Sequence, residues 1–304
     1  MSHELNGVTA LSHLGVIAVQ GEDAASFLQG QLTQDFALLG PSGARLAAYC
    51  TAKGRMQASF IGFKRGDQQI LLVMSRDILA PTLKRLSMFV LRAKARLRDA
   101  SAEFDLYGLL GEAALRAAPG LAPWSRVELG DASVIGLYPA DGLARSLWVA
   151  PAGAARPQGA DLAHPLWLWS EVRSGVATIT APLVEALVPQ MLNYESVGGV
   201  NFKKGCYPGQ EVVARSQFRG TLKRRAYLAH STGALTAGQE IYQAADPEQP
   251  CGIVAESAPS PAGGWDAIVS IQIAAAEAGG LTAGSPAGDA VAVEPAPYPL
   301  LADV

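Results

Sequence analysis

Short apolar or alternating runs, separated by turns that contain glycine or proline, recur along most of this 304-residue chain and limit its fold more than any other feature. Between residues 44 and 75, the runs ARLAAYCT, RMQASFIGF and QQILLVMS are broken by AKG and KRGD, a pattern typical of antiparallel hairpins. Beyond residue 225, the runs AYLAHS, QEIYQA, CGIVAES, DAIVSIQI and DAVAVEP indicate a small barrel or sandwich. The Ala/Gly/Pro-rich segments between these runs, such as AAAEAGGLTAGSPAG, are expected to be loops.

Helical patterns are short and few. The buried-strand pattern LGVIAV is followed by GEDAASFLQGQL, where Asp23 is predicted to cap a helix. RDILAPTLKRLSMFV and GEAALRAA predict two more helices, while FDLYGLLG, SVIGLYPA and RSLWVAPA predict further strands. Antiparallel strands with a few helices argue for an α+β fold rather than a doubly wound parallel sheet.

Charge is distributed unevenly along the chain, although the net charge is only −3. Residues 45–98 hold twelve Lys or Arg against two acids, and residues 203–225 hold seven against one. After Arg225 there is no Lys or Arg, while nine acids follow. This asymmetry predicts a domain boundary near residue 225 and a basic region that could face an anionic partner.

Several classes of protein are disfavoured by composition. No run of about 18 apolar residues is present and the first residues lack the features of a signal peptide, so we expect a cytoplasmic protein that does not enter a membrane. Three scattered cysteines and four histidines fit neither a disulfide framework nor a zinc-site spacing. We therefore predict no permanently bound metal.

One of the three cysteines differs from the others in its surroundings. Cys50 and Cys251 each end an apolar run and are expected to be small buried hydrophobes. Cys206 lies instead in KKGCYPGQEVVAR, beside Lys203 and Lys204, two cations that favour a thiolate. A surface loop that the lysines merely solvate is the alternative, because no His or Asp is visibly placed to complete a hydrolytic triad.

The backbone around Cys206 is predicted to be tightly turned. Residues 207–210, Tyr-Pro-Gly-Gln, fit a type II turn, in which Pro208 sets the first central φ and Gly209 accepts a positive φ at the second. Gly205 is expected to relieve the backbone in the same way. Such a loop would hold the thiol in a defined place.

The sequence KGCYPGQE resembles the hallmark KGCYxGQE of the YgfZ family of folate-binding proteins. The matching residues are Lys204, Gly205, Cys206, Tyr207, Gly209, Gln210 and Glu211, and Arg215 and FRGTLKRR continue the pattern. FLQGQLTQD, AAYCTAKGRM and PQMLNYESVGGVNFKKGCY also resemble the family, so the likeness covers most of the chain. It implies that Cys206 is a reactive centre, with Lys204 beside it.

The YgfZ family is similar in turn to the aminomethyltransferase (T-protein) of the glycine cleavage system, which uses tetrahydrofolate as a one-carbon acceptor. This resemblance implies an aminomethyltransferase-like ring of domains that ends in a β-barrel. The implied divisions are a folate-binding α+β domain (1–30 and 105–200), an inserted antiparallel α+β domain (31–104), and the motif loop with the barrel (201–304). Where T-proteins place a carboxylate pair, this chain has Gly54 to Phe60, and no Asp or Glu occurs from Phe36 to Gly66.

Folate recognition needs a carboxylate for the N3 and 2-amino edge of the pterin and an aromatic or apolar wall for its ring. The RxEAG-like segment of related sequences reads SEVRSG here, with Arg173 at the usual Glu position and Glu171 two residues earlier. On a strand these two residues would share a face, so Glu171 could serve. Glu195 is the other candidate acid, and Trp167, Trp169 and Tyr194 could form the wall.

A basic run, LRAKARLRD, carries four cations at period two: Arg92, Lys94, Arg96 and Arg98. The favoured interpretation is the solvated side of an antiparallel sheet. The alternative joins them with Lys53, Arg55 and the 203–225 cluster in a phosphate-binding surface for tRNA or a polyglutamated folate tail.

The sequence therefore predicts a folate-binding accessory protein, as the family resemblance implies. Its cofactor would be tetrahydrofolate or a one-carbon derivative, and its partners iron-sulfur proteins or their assembly machinery. It would support cluster assembly or repair, and thereby tRNA modification, with Cys206 as the reactive centre. The alternatives are a tetrahydrofolate-dependent one-carbon transferase and an RNA-binding module.

Overall fold

A computed structural model describes residues 5–218 and 222–301, so residues 219–221 of the basic segment lie outside the described residues. The strands are β1 (Gly7–Ala10), β2 (Leu14–Gln20), β3 (Ala44–Cys50), β4 (Met56–Lys64), β5 (Gln69–Ser75), β6 (Arg96–Asp99), β7 (Phe104–Leu110), β8 (Arg126–Leu129), β9 (Ala132–Ala140), β10 (Leu143–Pro151), β11 (Arg224–Ser231), β12 (Glu240–Gln243), β13 (Gly252–Pro259), β14 (Trp265–Gln272), β15 (Leu281–Ala283) and β16 (Ala290–Glu294). The helices are α1 (Ala24–Gln29), α2 (Leu79–Ser87), α3 (Glu112–Ala117), α4 (His164–Arg173), α5 (Gln210–Phe218) and α6 (Ile273–Ala278).

The strands form two five-stranded sheets and one closed barrel. The first sheet has the order β1-β7-β10-β9-β8 and the second the order β3-β4-β5-β2-β6. The barrel has the order β11-β14-β13-β12-β15-β16. All pairings between these strands are antiparallel, which confirms the predicted α+β class and C-terminal barrel.

The opening strands β1 and β2 belong to different sheets. β1 pairs with β7, whereas β2 pairs with β5 and β6. Residues 14–99 thus form one sheet with its helices, while the predicted division places residues 1–30 with 105–200. The assignment to three domains itself stays a prediction.

Two expectations about strands and loops were wrong. Segment 164–173 is a helix: Pro165 fits its first turn, where its missing N–H costs nothing, and Gly175 with a φ of 70° follows its end. Residues 274–288 were expected to be loop, but 274–278 belong to α6 and 281–283 to β15, because Ala275, Leu281 and Ala283 are buried in the barrel core. Tertiary burial overrode local composition there.

Two smaller expectations also need correction. The basic run is a strand only from Arg96, so Arg92 and Lys94 precede it. Asp23 does not cap α1 with its side chain; its carboxylate instead accepts a hydrogen bond from the Lys94 N–H at 2.7 Å. This hydrogen bond connects the segment that precedes β6 to the start of α1.

Helix α4 lies where the first sheet and the barrel meet. It packs against β9 of the first sheet and against β13 and β14 of the barrel. The largest hydrophobic cluster joins the second sheet, segment 177–200 and the barrel. In the described part of the chain, no helix is long and apolar enough to cross a membrane.

Candidate functional site

Cys206 is exposed, while Cys50 and Cys251 are buried as predicted. The exposed thiol lies between the buried Lys204 and the N-terminus of α5. Burial raises the pKa of Cys50 to about 12, so that thiol stays protonated. Of the three cysteines, only Cys206 is therefore placed to meet a solution partner directly.

Lys204 is held almost entirely by the protein. Its ammonium donates to the carbonyls of Leu32, at 2.6 Å, and Gln29, and lies 4.8 Å from the ring centre of Tyr207. Burial lowers its pKa to about 8, against the opposing charges of Asp35 and Cys206. Lys204 thus fastens the motif loop to the end of α1.

The turn after Cys206 has the predicted form. Gly209 has a φ of 82° and packs on the β3–β4 turn, where a Cβ on Gly209 would lie 2.4 Å from the Thr51 oxygen. Gly205 does not have a positive φ, and a Cβ there would meet nothing within 4 Å. The predicted need for glycine is thus confirmed at Gly209 and wrong at Gly205.

The rest of the motif forms the start of α5. The Gln210 side chain donates to the Lys204 carbonyl at 3.4 Å, which closes the loop on itself. Glu211 and Arg215 are exposed on α5, and Tyr207 is buried. The motif therefore divides into anchors that face inward and a surface that carries Cys206.

A cavity lies between the two sheets and α4; we call it the central cavity. Its wall includes apolar side chains of β3, β4, β5, β9 and β10, with the rings of Trp124, Tyr138 and Trp167. Its charged lining residues are Glu171 of α4 and Arg145 of β10.

Glu171 is held in its ionised form. Burial by itself raises the pKa of this carboxyl, but the hydrogen bond and charge of His13 and the charge of Arg145 outweigh burial and lower it. The His13 Nε2 atom lies 3.4 Å from the Glu171 Oε2 atom. An ionised carboxylate at an aromatic-lined wall is the acceptor that the pterin edge requires.

Further titratable groups surround this carboxylate. A ring nitrogen of His164 lies 3.0 Å from one of His13, and the charge of Glu171 helps to raise the pKa of His13 despite its burial. Glu256 of β13 accepts a hydrogen bond from the Thr178 N–H at 3.0 Å. Burial first, and then the charge of Glu171, raises the pKa of Glu256 to about 8. Near neutral pH, the pair therefore holds one proton, on Glu256.

The other acid and cation predicted for folate do not line the central cavity. Arg173 pairs with Asp141 and Glu294 at 2.8 and 2.7 Å. Glu195 is buried in an ion pair with Arg225. In a helix, residues i and i+2 lie about 200° apart, which is why Glu171 faces the cavity and Arg173 faces away.

The two remaining aromatic candidates also lie elsewhere. Trp169 donates its indole N–H to Asp266 of the barrel at 2.6 Å. The Tyr194 hydroxyl donates to the carbonyl of Ala177, and Trp167 is the predicted wall residue that does line the cavity. Sequence reasoning missed Arg145, His13, Trp124, Tyr138 and Glu256; the one signal was an arginine in the mostly apolar strand LARSLWVAP.

The β3–β4 hairpin contributes a hydroxyl to the cavity wall. Ser59 lines the cavity, and its oxygen accepts a hydrogen bond from the Ile179 N–H at 2.9 Å. In residues 5–218 and 222–301, no group of three His, Cys, Asp or Glu is close enough to hold a metal ion.

Comparison with known proteins identifies the relatives of this chain. No family model matches it. It is 31% identical over 251 residues to the tRNA-modifying protein YgfZ of Cronobacter sakazakii, an alignment that covers 76% of this chain and 74% of that protein. The YgfZ protein of Edwardsiella ictaluri is 32% identical over 69% of this chain and 67% of its own length. The chain belongs to the YgfZ family.

The fold of this YgfZ-family chain is similar to that of the glycine cleavage system aminomethyltransferase T from Bartonella henselae. The TM-score is 0.69, and the match covers 97% of this chain and 87% of that one. At 16% sequence identity this likeness shows the fold alone. It confirms the predicted aminomethyltransferase-like architecture.

Proposed function

We propose that this YgfZ-family protein binds tetrahydrofolate or a one-carbon derivative in the central cavity. We further propose that it supports iron-sulfur cluster assembly or repair, and thereby tRNA modification, through Cys206. The observation that carries the proposal is the ionised Glu171 in the aromatic-lined wall of that cavity. The names of the YgfZ relatives support the link to tRNA modification.

The residues of the central cavity fit a reduced folate. Glu171 would accept hydrogen bonds from the pterin, and Trp124, Tyr138 and Trp167 would pack on its ring. The cofactor would supply one-carbon chemistry when bound. The protein would contribute binding, orientation and exclusion of water.

The motif loop fits a chemical role at the surface. Cys206 is exposed, while Lys204 and Gly209 hold its loop against α1 and the β3–β4 turn. A thiol held in this way can attack a partner's disulfide, forming a mixed disulfide and releasing the partner's other sulfur as a thiolate, or contact a soft metal, because the sulfur is accessible and the backbone is fixed. Iron-sulfur proteins or their assembly machinery, in the cytoplasm, are the proposed partners.

Replacement of Cys206 by serine tests the role of the loop. Because serine has a similar volume but stays protonated near neutral pH, Cys206→Ser should melt within a few degrees of the parent and bind folate unchanged. It should nevertheless fail to restore iron-sulfur enzyme activity in cells that lack the protein. Cys251→Ser at matched expression is the control. Full rescue by Cys206→Ser would show that the cysteine is structural.

Calorimetric titration with tetrahydrofolate and its formyl and methyl derivatives tests the cavity separately. We expect saturable binding by the parent and by Cys206→Ser. The folate proposal would be refuted if millimolar ligand produced no heat of binding and no thermal stabilisation.

RNA binding is the second candidate function, favoured by exposed cations around the motif loop. Lys53, Lys203 and Arg215 are exposed, and Gly54 beside Lys53 packs against Val212 of α5. Transfer RNA affinity that falls steeply with salt and is lost in a Lys53→Ala/Arg215→Ala variant would favour this role. One-carbon transfer is the weaker alternative, because the β3–β4 hairpin has no Asp or Glu where T-proteins place a carboxylate pair.

A further inference from the structure

Arg145 is a buried cation whose donors are only partly used by the protein. It is 5% exposed, yet it lines the central cavity. Its Nε donates to Ser170 Oγ at 3.0 Å, its Nη1 donates to the Tyr138 carbonyl at 3.3 Å, and its guanidinium lies 4.6 Å from the ring centre of Trp167. These contacts position the guanidinium firmly.

The Nη2 donors of Arg145 have no hydrogen-bond partner among the described residues, and no described carboxylate lies within 4.0 Å of the guanidinium. A guanidinium offers five N–H donors, and the Nη2 atom is not among the fully buried polar atoms without a partner, so its donors are accessible from the cavity. Burial lowers the pKa of Arg145 to about 10, so it remains charged at neutral pH. The cavity wall therefore contains a fixed cation whose Nη2 donors can hydrogen-bond to a ligand.

Glu171 offers the complementary group in the same cavity. His13 holds one of its oxygens, and the carboxylate is ionised. The lining thus presents a carboxylate acceptor and a guanidinium donor between aromatic walls. A planar heterocycle that has two donors and one acceptor along one edge matches this arrangement.

We infer that Arg145 is a specificity-determining residue that, together with Glu171, reads a 2-amino-4-oxopyrimidine edge. Glu171 accepts from the 2-amino group and N3–H, and Arg145 donates to the 4-oxo oxygen. The inference deepens the proposed function and rests on it for the choice of a folate. The same edge occurs in pterins and in guanine, so the chemistry admits either source.

The decisive comparison changes the ligand rather than the protein. Calorimetry measures the affinities of tetrahydrofolate, of a tetrahydropterin without the glutamate tail, of guanosine, and of 2,4-diamino analogues in which an amino donor replaces the 4-oxo acceptor. The parent should bind the 4-oxo pterin at least about tenfold more tightly than its 4-amino analogue, because the amino group faces a cation with no acceptor. Equal affinities would overturn the inference.

Substitutions test whether Arg145 is the residue that distinguishes the 4-oxo ligand from its 4-amino analogue. Arg145→Gln should weaken 4-oxo binding by about ten- to a hundredfold and abolish the preference over the 4-amino analogue, because the amide can accept as well as donate. Glu171→Gln should weaken both ligands. Arg116→Gln and Glu112→Gln, exposed on α3, are the matched controls and should change neither.

Several outcomes separate this inference from the folate proposal. If guanosine binds with the predicted preference for the 4-oxo edge and reduced folates do not bind, the inference about Arg145 and Glu171 is supported and the folate proposal fails. If Arg145→Gln keeps the parent's preference for the 4-oxo ligand over its 4-amino analogue, the inference is overturned even if folate binds. If that variant does not fold, Arg145→Lys and the ligand comparison on the parent decide the question. Absence of binding by both ligand classes overturns both proposals.

Discussion

At the scale of single residues, the motif loop shows how two similar glycines differ. Gly209 has a φ of 82° and lies against the backbone of Thr51 and Gly54. Gly205 stands next to Cys206 in open space. Both positions are glycine in the sequence, but only Gly209 needs to be glycine in the folded chain, because of its positive φ and the close approach of the Thr51 and Gly54 backbone.

Replacement of each glycine by alanine tests this distinction. Gly209→Ala should lower the free energy of unfolding by about 1–3 kcal/mol, because the new Cβ meets a carbonyl at 2.4 Å and the φ is strained. Gly205→Ala should stay within about 0.5 kcal/mol of the parent. Urea midpoints measure both, and equal midpoints for the two variants would contradict the assignment.

At the scale of elements, α4 distributes its side chains among three neighbours. Trp167 and Glu171, four residues apart, face the central cavity together with Ser174. Trp169 faces the barrel, and Arg173 pairs with Asp141 and Glu294. Strand β13 brings Glu256 toward the carboxylate of this helix, and the two acids influence each other's protonation.

The raised pKa of Glu256, about 8, predicts how stability depends on pH. Below pH ~4.5 the Glu256 carboxyl is protonated in both the folded and the unfolded chain. Between pH ~4.5 and pH ~8 the unfolded chain releases the proton, whereas the folded chain keeps it. Stability from this group therefore falls with rising pH, by up to about 1.4 kcal/mol per unit. Glu256→Gln should remove this loss of stability at higher pH.

Denaturant midpoints at pH 5, 7 and 8.5 check this prediction. The stability gain of Glu256→Gln over the parent should grow with pH across this range. Glu248→Gln, at an exposed acid in the loop before β13, is the matched control and should follow the parent. A gain that is constant with pH would show that Glu256 does not titrate as inferred.

At the scale of the whole molecule, the segment around α4 is bound to the barrel by polar contacts as well as by the core. Trp169 donates to Asp266, which also pairs with His230 at 2.7 Å. The Tyr298 hydroxyl, beyond the last barrel strand, donates to the Gly175 carbonyl at 2.7 Å. These contacts set where the barrel stands beside the helix that carries Glu171.

Trp169→Phe tests this junction, because it removes the indole N–H and keeps most of the ring. The free energy of unfolding should fall by about 1–3 kcal/mol, since the hydrogen bond to a buried carboxylate is lost. Trp265→Phe, which removes an indole N–H that has no described partner, is the control. Folate affinity should stay within about twofold; a large loss would instead support Trp169 as a ligand contact.

The sequence by itself determined the features that depend on neighbours along the chain. The strand patterns, the Pro-Gly turn and the burial of Cys50 and Cys251 were readable because alternation, turn chemistry and apolar runs act locally. The motif also identified the family, and with it the aminomethyltransferase-like fold.

Only the tertiary structure decided which groups meet. Glu171, rather than Arg173, faces the cavity because the segment is a helix, which puts the two residues on opposite sides. Arg145 and His13 approach Glu171 from elements about 26 and 158 residues away, and the carbonyls that hold Lys204 lie more than 170 residues earlier. Residues that share no local pattern are brought together by burial of the sheets, helix and barrel against one another, a cooperative free energy that no short stretch of sequence contains.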